Sequence, residues 1–139
     1  MSKRVIEALI ASGARRVGYV GVDSGQVMLT DPCYITSDTV GFPDRRAGKE
    51  GLDLFDPQHE GDYSYAGACF ASARDERGGG PMNYPLGHDG AGVCVSAGYG
   101  DGCYAVYVTY NDEADQAEWG RRVATATIIF IDPLSEEDE

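Results

Sequence analysis

The chain has 139 residues and a formal net charge of −12, with Lys3 and Lys49 its only lysines. A field of that sign repels phosphate, which argues against general nucleic-acid binding and against docking on anionic membranes. Hydrophobic residues at 42% argue against wholesale disorder, and 19 glycines, costly inside helices, favour turns and short strands. A chain of this length suits one domain, with a core that stands without disulfide or metal staples.

Taken in chain order, the first element predicted is a short amphipathic helix over residues 2–12. Val5, Ile6, Leu9 and Ile10 form one apolar stripe, Ser2 is placed to cap its start and Gly13 to end it. The period then changes. Residues 16–22 and 26–30 are short β-branched and apolar runs, and Asp23-Ser24-Gly25 between them suits a hairpin whose glycine takes positive φ. Asp31-Pro32 stops the second run, because proline withdraws a ladder donor and biases its predecessor to extended geometry.

Residues 36–62, rich in Gly, Asp and Pro, read as a long surface excursion tacked to the core by Leu52, Leu54 and Phe55. Residues 63–73 read as a strand. Residues 74–90, with Gly78-Gly79-Gly80-Pro81, read as a second long loop of the functional or mobile kind. The last third predicts strands over 92–97, 103–110 and 121–131. The first two are expected to pair through Gly98-Tyr99-Gly100-Asp101-Gly102, with Gly102 at positive φ. The last two join through residues 111–120, which hold the only tryptophan, Trp119.

The fold expected is mainly β: an antiparallel, sandwich-like or half-barrel sheet with one short N-terminal helix and two long loops. Residues 1–134 form a single β-rich domain and residues 135–139 an acidic flexible tail. No leader-like start and no apolar run near 18 residues is present, so a soluble cytoplasmic protein is expected. Cys33, Cys69, Cys94 and Cys103 are then free thiols, expected as small buried hydrophobes.

Two segments carry candidate chemistry. In Asp31-Pro32-Cys33-Tyr34 an acid, a thiol and a phenol leave a strand end at a defined place; the plainer reading is a strand terminus whose Asp caps nearby amides. In Gly98-Tyr99-Gly100-Asp101-Gly102-Cys103-Tyr104 the glycines suit an anion nest, but the strand that follows does not fit a phosphate loop, which needs a helix there. The expectation is that the two segments meet, and the candidate ligand-binding residues are Asp23, Asp31, Cys33, Tyr34, Asp101 and Tyr104.

Together these segments carry a resemblance. Val20-Gly21-Val22-Asp23-Ser24-Gly25 leading to Asp31-Pro32-Cys33-Tyr34, with Ser96-Ala97-Gly98-Tyr99-Gly100-Asp101-Gly102-Cys103-Tyr104, resembles a family of small bacterial and phage proteins without an assigned activity. About half the chain takes part, residues 36–90 do not, and Ala97-Gly98 stands where relatives commonly carry Ser-Gly or Thr-Gly. The resemblance implies a β fold and a bacterial or phage setting, and transfers no catalytic residue.

Other constellations are weaker. Zinc would need four of Cys33, Cys69, Cys94, Cys103, His59 and His88, whose spacings match no zinc motif, so neither metal nor cofactor is expected. A Cys33 nucleophile with His59 or His88 as base is composable from almost any chain with these residues. His59-Glu60-Gly61-Asp62 lacks the helical spacing of a metalloprotease. The function expected is a non-catalytic binding or interaction module, in a phage setting an accessory protein acting on a host factor or small ligand. Its partner is a protein or small molecule, with no nucleic acid and no membrane. The alternatives are a minor structural protein of a virion and a small enzyme centred on Cys33 or the Asp31/Asp101 pair.

Overall fold

The structure is a computed structural model that describes residues 5–34, 56–111 and 122–132. The expected Ser2 cap, the anchors Leu52, Leu54 and Phe55, the Trp119 linker and the acidic tail lie outside the described residues. Among these residues the fold is mainly β, with two three-stranded antiparallel sheets and two helices. Its elements are α1 (Val5–Ala11), β1 (Arg15–Val22), β2 (Gln26–Thr30), a 3-10 turn (Pro32–Tyr34), a second 3-10 turn (Pro57–His59), α2 (Tyr65–Ala73), β3 (Gly79–Met82), β4 (Gly92–Ser96), β5 (Gly102–Asn111) and β6 (Arg122–Ile128). No helix among the described residues is long and apolar enough to cross a membrane. The chain divides into two compact units, one holding the described residues up to Asp23 and from Asp101 onward, the other Ser24–Gly100.

In the first unit the sheet runs β1-β5-β6. β5 is central, pairing with β1 from Arg15↔Val108 to Val22↔Gly102 and with β6 from Val106↔Ile128 to Asn111↔Arg122. The long β-branched run of β5 suits this place, where both of its edges are bonded. Gly13 ends α1 as expected: the Ala14 amide reaches back to the Leu9 carbonyl (2.9 Å) and the Gly13 amide to that of Ile10 (3.0 Å), a Schellman arrangement.

The cap at the start of α1 comes from the other end of the chain. The Asp132 carboxylate accepts from the Val5 amide at 2.9 Å and the Ile6 amide at 3.3 Å, satisfying two orphan donors of the first turn. Asp132→Ala is expected to cost about 1 kcal/mol, the usual worth of such a cap. Native-state hydrogen exchange checks this: protection at Val5 and Ile6 should fall while the β5 amides keep theirs.

In the second unit the sheet runs β2-β4-β3, with α2 packed on it. Three expectations are corrected here. First, residues 63–73 are not a strand but contain α2. Ser64 caps it, its hydroxyl accepting from the Gly67 amide at 3.0 Å, and four alanines (66, 68, 71 and 73) supply the strongest intrinsic helix preference. Second, the glycine-rich stretch 78–81 is not all loop, because Gly79–Met82 is the strand β3. β3 is an edge strand, where proline is tolerated, and Pro81 sits within it.

Third, neither predicted hairpin forms. β1 pairs with β5 and β2 with β4, so Asp23–Gly25 and Ala97–Asp101 both carry the chain from one ladder to the other. Gly25 does take positive φ (+70°), but Gly102 does not: it opens β5, and the positive values fall at Gly98 (+59°) and Gly100 (+114°). The Gly100 amide closes a turn onto the Ala97 carbonyl at 2.9 Å, with the two left-handed glycines in and beside it. Sequence spacing identified the turn and the two strands it joins, but those strands do not pair with each other.

The core of the second unit is Met82, Cys94, Ala68 and Ala71, with Met28 and Tyr63 packed against it. A polar group is built into the same interface. The Gln26 side chain accepts from the Ser72 hydroxyl (2.6 Å) and the Cys94 thiol (3.4 Å), and its amide nitrogen donates to the Cys69 sulfur (3.6 Å). All four cysteines are free thiols, but only Cys69 and Cys94 are buried; Cys33 and Cys103, expected inside, are exposed. Burial, then the neighbouring Cys69, pushes the Cys94 thiol up to about 11, so it stays protonated and inert.

Candidate functional site

The second unit carries a cleft of about 440 Å³ between the segment that leads into α2 and the one that leaves β3, lined chiefly by Glu60, Asp62, Tyr63, Ser64, Asn83 and Tyr84. Three local features hold its walls. The Asn83 amide donates to the Gly61 carbonyl at 2.6 Å, tying one wall to the other. Gly67 lies against the backbone carbonyl of Asp62 so closely that a Cβ there would overlap it. On the far wall the Gly87 amide bonds the Tyr84 carbonyl at 2.7 Å, closing a turn with Pro85 at its favoured second position.

Tyrosines make the aromatic part of the wall. Tyr34 meets Tyr63 and Tyr84 edgewise, with ring centroids at 6.4 and 5.3 Å and interplanar angles of 73° and 76°. The Tyr34 and Tyr84 hydroxyls share a 2.6 Å hydrogen bond. Tyr84 is also stacked on His88 at 4.5 Å. Thr30 spends its hydroxyl proton on the Ala91 carbonyl (2.8 Å), so in the 3.2 Å contact between Tyr63 and Thr30 the tyrosine is the donor. With these bonds the rings are held by partners at both edge and hydroxyl, a preorganised surface.

The shared hydrogen bond, ahead of partial desolvation, pushes the Tyr34 hydroxyl up to about 12. A raised value means the folded protein favours the protonated phenol. The stabilisation is therefore complete below the ordinary tyrosine value of about 10 and disappears as the pH climbs from there through about 12. An alkaline titration followed by tyrosinate absorbance should show a late-ionising hydroxyl, and Tyr84→Phe should move that step to lower pH. A titration unchanged by Tyr84→Phe would contradict the pairing.

Polar groups complete the cleft. Asp62 Oδ2 lies 3.5 Å from Nδ1 of His59, with the Asp62 side chain 52% exposed. Asn83 Oδ1 and His59 Nε2 are buried and find no hydrogen-bond partner among the described residues. Among the described residues no three His, Cys, Asp or Glu side chains gather as a metal site would require.

The residues picked from sequence divide between the two units, three in each. Asp31, Cys33 and Tyr34 are in the second. Asp31 Oδ1 accepts from the Cys33 amide at 3.0 Å, the capping role expected of a strand terminus. Cys33 is exposed, and its thiol is pushed up first by partial desolvation and then by the hydrogen bond and charge of Asp31. A nucleophilic thiol needs the opposite shift. Tyr34 alone of the three touches the cleft's walls. Asp23, Asp101 and Tyr104 are in the first unit, where Asp23 and Asp101 stand one step beyond the last β1–β5 pair, Val22 with Gly102. Tyr104 pairs with Val20 and packs edgewise on Phe130 at 5.2 Å.

Sequence reading missed Tyr63, Asn83, Tyr84 and the roles of Asp62 and His59. Ser64 ahead of an alanine-rich run was a usable helix signal, and Pro85 with Gly87 a usable turn signal. Nothing in the sequence joins Gly61 to Asn83. No protein-family model, curated protein or solved structure matches the chain.

Proposed function

We propose that this protein is a non-catalytic binding module that holds a small molecule in the cleft of its second unit. The observation that carries the reading is the preorganised tyrosine wall: Tyr34, hydrogen-bonded to Tyr84 and in edge contact with Tyr63, beside a cleft of about 440 Å³. That volume is in the range of small-molecule sites, which combine aromatic lining with a few fixed polar groups. Asn83, which lines the same cleft, adds a polar side chain to it. The raised Cys33 thiol favours binding over nucleophilic chemistry. The motif resemblance is what ties the reading to a bacterial or phage setting. The proposal rests on the second unit's residues and does not need Asp23, Asp101 or Tyr104.

The test is an amide-resolved NMR titration with a mixed panel of small aromatic and aliphatic compounds. Members of the panel should shift the Tyr63, Ser64, Asn83 and Tyr84 amides, and Tyr84→Leu should abolish the shifts. A panel that leaves all four unmoved would remove the binding reading.

A further inference from the structure

The cleft's charge pattern says more than that it binds. Among the described residues its lining holds two carboxylates, Glu60 and Asp62, and no lysine or arginine, which gives this part of the rim a negative sign. Tyr63 and Tyr84 belong to the same lining, and an aromatic face attracts a cation within about 6 Å of its centroid. The whole chain, at −12, raises the local concentration of cations and lowers that of anions. Beside this lining, His59 lies against Asp62, and the His88 ring is stacked on Tyr84.

We infer that the cleft takes a small organic cation, an ammonium group on a short apolar or hydroxylated body. The ammonium sits against Tyr63 and Tyr84 and the Glu60 and Asp62 carboxylates. This rests on the binding reading above and narrows it to one ligand class. The two carboxylates set the sign of the charge accepted and the tyrosines set its soft, poorly hydrated character, which favours alkylated ammonium over a metal ion.

Three probes of one shape separate charge from size: choline, its neutral carbon isostere 3,3-dimethylbutan-1-ol, and the anion 3,3-dimethylbutanoate. Titrated at pH 7.5 with amide-resolved NMR, choline should shift the Tyr63, Ser64, Asn83 and Tyr84 amides in a saturable way. The neutral isostere should bind about tenfold more weakly and the anion more weakly still. The double variant Glu60→Gln with Asp62→Asn, conservative and at the cleft's rim, should bring choline down to the level of the neutral probe. Tyr84→Leu should weaken choline more than the neutral isostere. If the isostere or the anion matches choline, the cation assignment is overturned and the binding reading stands. If none of the three moves the cleft while another compound of the mixed panel does, the assignment falls alone. If nothing moves it, both fall.

Discussion

Met82→Ala is expected to remove about 2–5 kcal/mol of stability, the usual cost of truncating a long buried apolar side chain. Met82 is fully buried, at 0% exposure, under α2 and among Ala68, Ala71 and Cys94. Its neighbours on the helix are mostly alanines, which have no longer side chains to swing into the space, so the cavity would stay largely open. Against a total stability of about 5–15 kcal/mol for a typical domain, this is a large fraction. Urea unfolding should show a lower midpoint with an unchanged slope, and Met82→Leu, which conserves volume, should lose less than about 1.5 kcal/mol. Equal losses for the two variants would mean that packing volume is not what Met82 supplies. Asn83 follows Met82 directly, and its amide holds the Gly61 carbonyl, so the alanine variant should also loosen the cleft.

Gly67→Ala is the second large effect, and two forces act on it in opposite directions. Gly67 lies inside α2, where alanine is favoured over glycine by up to about 1 kcal/mol. The new methyl, however, would overlap the backbone carbonyl of Asp62, and no rotamer change can relieve a clash with main chain. Steric conflict of this kind costs about 1–3 kcal/mol and occasionally more, so the variant should be less stable despite its better helix residue. Gly18→Ala is the control, since a Cβ there meets nothing within 4 Å and should have little effect. Because Asp62 lines the cleft, the Gly67→Ala protein should also bind cleft ligands more weakly even under conditions where it is fully folded. A Gly67→Ala protein as stable as the parent would show that Asp62 can move away freely.

The sequence by itself determined what local chemistry decides. β-branched and apolar runs marked β1, β2, β4 and β5 within a residue or two, and β6 to within three, because a residue's fit to extended backbone is largely its own property. Asp31-Pro32 ended β2 and Asp31 capped the turn that follows, and Gly13 closed α1, since each of these needs only neighbours a few residues away.

Strand partners were decided by the tertiary structure. A three-residue loop ending in glycine permits a hairpin, but burial chooses the ladder. Met28 sits opposite Cys94 in the β2–β4 register, and Met82 and α2 complete the core there. A local hairpin of β1 with β2 would have given up that pairing. The same competition hid α2. Alanine, glycine and cysteine occupy so much of it that no apolar period distinguishes a buried helix from a buried strand, and only its packing on the sheet resolves the choice.

The cleft is the extreme case. Tyr34, Tyr63 and Tyr84 are separated by 29 and 21 residues in the chain and meet through the pairing of β2, β4 and β3 and the docking of α2. Each tyrosine was readable as a residue type, but their convergence was not, because it depends on long-range contacts whose free energy exists only once the sheet and helix are in place.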